Sequence, residues 1–158
     1  MEEIKDGIKL TGSINFIHRN GRGELLEDRT IENTVTTVGK AEFAKLAVVD
    51  VGGTGFDYIA IGVGSPGATT LGSESTTNGG AKRGGADVTG TVTTTTVTGD
   101  TAQWVTTFTF TGALVLTEAG IFNAAVADTG ILLATQEFSA LNVADTDTLT
   151  ITWKVKVA

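Results

Sequence analysis

Cysteine is absent from this 158-residue chain. Disulfide scaffolds, thiol nucleophiles and cysteine-ligated zinc are therefore excluded. Histidine occurs once, at His18, so a multi-histidine metal site is excluded as well. Proline also occurs once, at Pro66, against 21 glycines. No apolar run approaches the ~20 residues of a membrane-spanning helix. The start carries Glu2, Glu3 and Asp6 rather than the basic leader and apolar stretch of a signal peptide. Lysine and arginine are missing between Arg83 and Lys154, a stretch that holds seven acids. The whole net charge of −7 sits there, because the rest of the chain carries eleven residues of each sign. Phosphate backbones are gripped mainly by Lys and Arg, so neither nucleic acid nor a membrane is an expected partner. Charged residues make up only 18% against 41% hydrophobic, which excludes a charge-driven disordered chain.

What is present is period-two alternation. Ile8, Leu10, Ile14 and Phe16 alternate with Lys9, Thr11, Ser13 and Asn15. Asn20-Gly21-Arg22-Gly23 then signals a turn, since Asn and Gly tolerate positive φ. A charge-rich return strand over about 24–36 is expected at an edge or on a solvent face. Ala41, Ala44, Leu46, Ala47 and Val48 share helical spacing, which predicts one helix over 38–49 with Thr36 or Thr37 as its cap. Tyr58-Ile59-Ala60-Ile61-Gly62-Val63 is continuously apolar and predicts a central strand buried on both faces. Further strands are expected over 88–98, 103–111, 116–123, 131–138 and 148–157. In the last, Leu149, Ile151, Trp153, Val155 and Val157 face one way and Thr148, Thr150, Thr152, Lys154 and Lys156 the other. Eight strands and one short helix predict an all-β fold, an antiparallel β-sandwich or jelly-roll-like domain. Residues 1–7 are expected to form a flexible arm, and 8–158 one β domain with a long, mobile loop at 64–85.

Candidate chemistry is sparse. His18 reads as a surface histidine without a role. Ser65 lies in Gly62-Val63-Gly64-Ser65-Pro66-Gly67, but a phosphate-binding loop needs a Gly-Lys-Ser/Thr ending that opens a helix. No serine stands in a Gly-x-Ser-x-Gly elbow. Asp145 with Asp147, and Asp50 with Asp57, supply too few oxygens for Ca²⁺ and read as solvated turns. Glu118 and Glu137 are no better placed for glycoside hydrolysis than any two acids on adjacent strands. Trp104, Trp153 and Tyr58 have the chemistry of a sugar platform, but both tryptophans fall on apolar strand faces and are expected in the core. Glu118 lies inside an apolar strand and needs a partner. Arg83, at the end of the long loop, is the candidate, in a structural ion pair that ties the loop down; the alternative is a Glu118 that faces solvent. No cofactor is expected.

Several segments together resemble small virion structural proteins of tailed bacteriophages, of the head-decoration and tail-associated type. They are Asn33-Thr34-Val35-Thr36 with the helix containing Gly39, Ala44 and Leu46, then Tyr58 to Gly64, and the loop with Leu71, Glu74 and Arg83. Glu118-Ala119-Gly120-Ile121-Phe122 and Leu149 to Val155 complete the set. The resemblance spans residues 7–157 and implies a non-enzymatic role. The expected function is a capsid decoration protein, an oligomer on the capsid surface of the virion whose partner is the major capsid protein. The alternative is a tail or baseplate-associated module that contacts host glycans. Lys5, Lys9 and Lys82 are the candidate bases for capsid or subunit contact.

Overall fold

The computed structural model describes residues 7–48 and 51–158. Eight strands follow in order: β1 (Leu10–Arg19), β2 (Leu25–Val35), β3 (Tyr58–Gly62), β4 (Thr89–Thr93), β5 (Thr101–Thr109), β6 (Leu114–Phe122), β7 (Leu132–Val143) and β8 (Thr148–Val157). One helix, α1 (Thr37–Leu46), lies between β2 and β3. All pairings are antiparallel, in the order β3-β6-β7-β2-β1-β8-β5-β4. The all-β antiparallel expectation therefore holds, as one eight-stranded sheet that curls into a half-barrel.

The curl follows from the residues that alternate inward. Ile14 and Phe16 of β1, Ile59 and Ile61 of β3, Phe108 of β5, Leu116 and Ile121 of β6, Phe138 of β7, and Leu149, Ile151 and Trp153 of β8 form one core. Phe16 and Phe138, from distant strands, meet with ring centroids 4.6 Å apart. The sheet is weakest between β2 and β7, which pair only at Thr34 with Thr135 and Val35 with Ala134. Arg29 spans the rest of that split. Its Nη1 donates to the Ser139 carbonyl at 3.3 Å, and its guanidinium lies 5.6 Å from the Phe16 ring and 5.4 Å from Phe138.

Three expectations need correction, the first only in part. The charged strand β2 lies inside the sheet order rather than at an edge, but its Asp28 and Glu32 face solvent, as the other half of that expectation had it. The apolar strand β3 is a terminal strand, not a central one. It is still buried on both faces, because the segment after it folds back along its edge. Val63 N donates to Ser73 O at 2.9 Å, Ser75 N to Ile61 O at 2.8 Å, and Ile59 and Arg83 exchange two bonds of 2.8 Å. Leu71 then packs on Ala60, Phe122 and Leu132 in a second small core.

The third correction concerns α1. Thr36 caps it, its hydroxyl accepting from Gly39 N at 2.9 Å. Yet Ala41, Ala44, Leu46, Ala47 and Val48 are exposed, and the buried helix residues are Gly39 and Glu42. The helix is held by a close approach rather than by an apolar stripe. A Cβ at Gly39 would stand 2.5 Å from Leu133 Cα, so only glycine lets the first turn sit on β7. Glu42 fixes the other end, accepting from Thr54 N at 2.8 Å and pairing with Lys45 at 3.1 Å. Those contacts hold its carboxyl below the usual range.

Candidate functional site

Glu118 is fully enclosed on β6. Its register neighbours are Gly62 on β3 and Glu137 on β7. The carboxylate accepts three backbone N–H groups, from Ser73 at 2.7 Å, Gly72 at 2.8 Å and Gly64 at 3.0 Å. Convergent backbone amides of this kind form an anion-binding concavity, and here the chain supplies the anion itself. Gly62 makes room, since a Cβ there would lie 2.4 Å from Glu118 Oε1 and 2.5 Å from Ser73 O. The neighbouring Thr117 hydroxyl donates to Gly64 O at 2.6 Å, and the Ser65 hydroxyl to Glu137 at 2.6 Å.

The expected pair of Arg83 with Glu118 does not form. Arg83 lies 3.9 Å from Asp87 and over the Phe108 ring at 5.5 Å. The loop is tied down as expected, but by its own backbone amides. Three aimed donors satisfy a buried carboxylate without desolvating a guanidinium. The segment 64–85 meets the rest of the fold at several points, through Glu118, the β3 edge and Leu71. Glu118 and Glu137 are cross-strand neighbours, but Glu118 is closed to solvent and engaged by amides, so it has no free oxygen for proton transfer.

Lys82 is not a surface base either. Its side chain is 2% exposed and lies 3.4 Å from Glu74, itself 1% exposed. Its ammonium donates to Val126 O at 3.0 Å and Thr129 O at 3.3 Å, and sits 4.1 Å over the Phe122 ring. Burial holds its pKa below the usual lysine value, against the pull of Glu74. The contact is a staple between the long loop and the turn after β6. Lys9 is exposed, as a contact residue must be. Lys5 and the rest of 1–6 lie outside the described residues, as does Asp50.

His18 and Asp147 overturn the surface readings given to both. His18 is 4% exposed and Asp147 6%. His18 Nε2 donates to Asp147 Oδ2 at 2.8 Å, and Ala144 N donates to the same oxygen at 3.0 Å. Burial alone would raise the Asp147 pKa. The bonds from His18 and from the Ala144 and Gly21 amides outweigh it and hold the carboxyl below the usual range. The pair locks the turn after β7 to the end of β1. The β1–β8 register, which sets His18 beside Leu149 and Arg19 beside Thr148, brings the two together, and the sequence alone does not show it. Asp57 is exposed, and among the described residues no three His, Asp or Glu gather into a possible metal site. Trp153 is buried as expected, which removes it as a sugar platform, while Trp104, also expected in the core, is half-buried against it and donates to Phe56 O at 2.6 Å.

Sequence reasoning passed over the convex face of β2, β1, β8 and β5. Alternation turns Thr30, Glu32, Ser13, Asn15, Thr152, Lys154 and Lys156 outward there, while Thr101 on the same face is covered and bonded to Asp100 and Thr95. Two adjoining depressions cross it, sharing Ser13 and Lys154, with volumes of about 440 Å³ and 310 Å³. The larger is walled by Lys9, Lys154 and Lys156. Comparison with family models, with curated proteins and with solved structures finds no match for this chain.

Proposed function

We propose that this chain is a non-enzymatic structural protein of a tailed-phage particle, a decoration protein on the capsid exterior that meets the major capsid protein and further copies of itself. One observation carries the reading beyond the sequence resemblance. The most deeply buried ionisable groups, Glu118, Glu42, Lys82 with Glu74, and His18 with Asp147, all fasten loops or turns, to the sheet, to α1 or to one another. Titratable groups committed in this way stiffen a building block. The outer surface adds apolar residues available for lateral contact, among them Val92, Val97 and Val126 at 67–70% exposure.

The sandwich-like reading of the fold belongs to the same proposal. Its two layers are β3-β6-β7 and β2-β1-β8-β5-β4, joined at one corner through the two residue pairs between β2 and β7. A tail or baseplate module that contacts host glycans is the second reading, favoured by the polar convex groove. Incubation of the purified chain with capsids that lack it, and separately with tails, tests the first. Cosedimentation with capsids alone supports decoration. Cosedimentation with tails alone replaces it with the second reading, and binding to neither removes both.

A further inference from the structure

Of the two end strands of the sheet, β4 is the one left open. The segment after β3 folds back along the β3 edge, whereas among the described residues no backbone group bonds to the outer edge of β4. Exposed edges are usually guarded by charge, by proline or by a bulge. Residues 88–99 carry no charged side chain and no proline. β4 also pairs with β5 in unbroken register from Thr89 to Thr93. In a chain of net charge −7, such a neutral and regular edge is where a second acidic copy approaches with least repulsion.

The side chains of β4 are self-complementary. The register sets Gly90 beside Trp104 and Trp104 beside the core residue Trp153. Gly90 and Val92 therefore lie on the core side of the sheet, and Thr89, Thr91 and Thr93 on the outer side. Val92 is nevertheless 70% exposed. Two residues away on the same face, a Cβ at Gly90 would meet nothing nearer than Trp104 Cδ1, at 4.0 Å. One short strand thus carries an apolar knob and an open slot beside a half-buried indole.

We propose that β4 pairs antiparallel with β4 of a second copy, about a twofold axis at Thr91. Directly opposed residues share a face, so a twofold axis between two like strands falls on a residue and not between two. Placed at Thr91, it pairs the whole strand. Thr91 meets the partner's Thr91, Thr89 meets the partner's Thr93, and Gly90 meets the partner's Val92. Each Val92 enters the slot left by the partner's Gly90, next to the partner's Trp104. On the other face the threonines stand opposite one another, where cross-strand hydroxyl pairs form. The contact is isologous and closes at two copies. Five residues a side is well short of the ~20–30 of a standard interface, so the dimer is weak when free and gains from crowding. The pairing names a copy-to-copy contact for the proposed role without resting on it. A dimer that ignores capsids would remove the decoration reading and leave the pairing.

Sedimentation velocity of the full chain, from about 10 to 500 µM, tests the proposal. A monomer–dimer equilibrium without larger species is expected. Val92→Glu sets a carboxylate into the partner's apolar slot and adds negative charge to both copies. It should weaken dimerisation about tenfold or more while the melting temperature stays close to the parent's, because the side chain is exposed in the monomer. The absence of cysteine permits a test of register. Thr91→Cys places its thiol opposite its own mate, with Cα atoms about 4.5–5.5 Å apart, and should cross-link under mild oxidation. Thr89→Cys stands ~13 Å along the strand from its own mate and should not. A chain that stays monomeric throughout the range would leave the edge to a strand of some other protein and overturn the proposal. So would dimers that Val92→Glu leaves intact, or Thr89→Cys cross-linking as fast as Thr91→Cys.

Discussion

Glu118 shows how a single carboxylate organises its surroundings. Its three N–H donors belong to the loop that folds back along the β3 edge. Glu118→Ala should cost roughly 3 kcal/mol or more, because it strands three donors inside the protein. Urea denaturation measures it, and a loss below about 1 kcal/mol would show that the donors find other partners. Trp153→Ala should cost about 3–5 kcal/mol as a large core cavity opens. On the opposite face, Lys154→Ala should stay within about 0.5 kcal/mol. The His18–Asp147 pair makes stability depend on acidity. The native Asp147 carboxyl titrates below the unfolded value of ~3.9, so the ionised form contributes stability that is complete above that value. That contribution fades as pH falls toward the native value. The stability gap between the parent and Asp147→Asn should therefore narrow from about pH 5 to pH 2. A gap constant over that range would mean that the carboxyl is not held ionised by the fold.

At the scale of elements, alternation and apolar or β-branched runs located all eight strands, although β4 stops five residues short of the expected 88–98 and β7 runs five residues beyond 131–138. Neither could place them in order. β3 reads as central because both its faces are apolar, and nothing local says that a loop rather than a strand covers its edge. The helix was legible from spacing and cap, but its apolar face was assigned to the interior. Gly39 and Glu42 decide the packing instead, and the sequence alone does not show a glycine meeting a backbone. The threonine run after β4 departs from strand for a local reason. Asp100 accepts from the backbone N–H groups of Thr95, Thr96 and Val97, and these bonds hold its carboxyl well below the usual range. Glu118 was recognisable as a buried acid needing a partner. Its actual partners were invisible because backbone amides leave no mark in a sequence. Hydrogen exchange tests the loop directly. The Gly72 and Ser73 amides should be protected in the parent and exchange much faster in Glu118→Ala, while the β1 and β8 core amides keep their protection. Equal exchange in both proteins would show that the loop is held without Glu118.

For the whole molecule, the curled sheet leaves two unlike surfaces. One end strand, β3, is sealed by a stapled loop; the other, β4, is five residues long and carries exposed Val92, with exposed Val97 in the turn beyond it. A short edge resists open-ended strand pairing, yet those valines remain available for a defined neighbour. In the proposed role the acidic charge excess would keep crowded copies apart, and the basic groove is the exception to that excess. Both features fit a rigid unit displayed many times on one surface. Quantitative mass spectrometry of purified phage particles tests this most directly, by the ratio of this chain to the major capsid protein. The proposed role predicts a fixed ratio that scales with the capsid lattice and persists in heads separated from tails. Absence from heads, or complete loss with the tails, would contradict it.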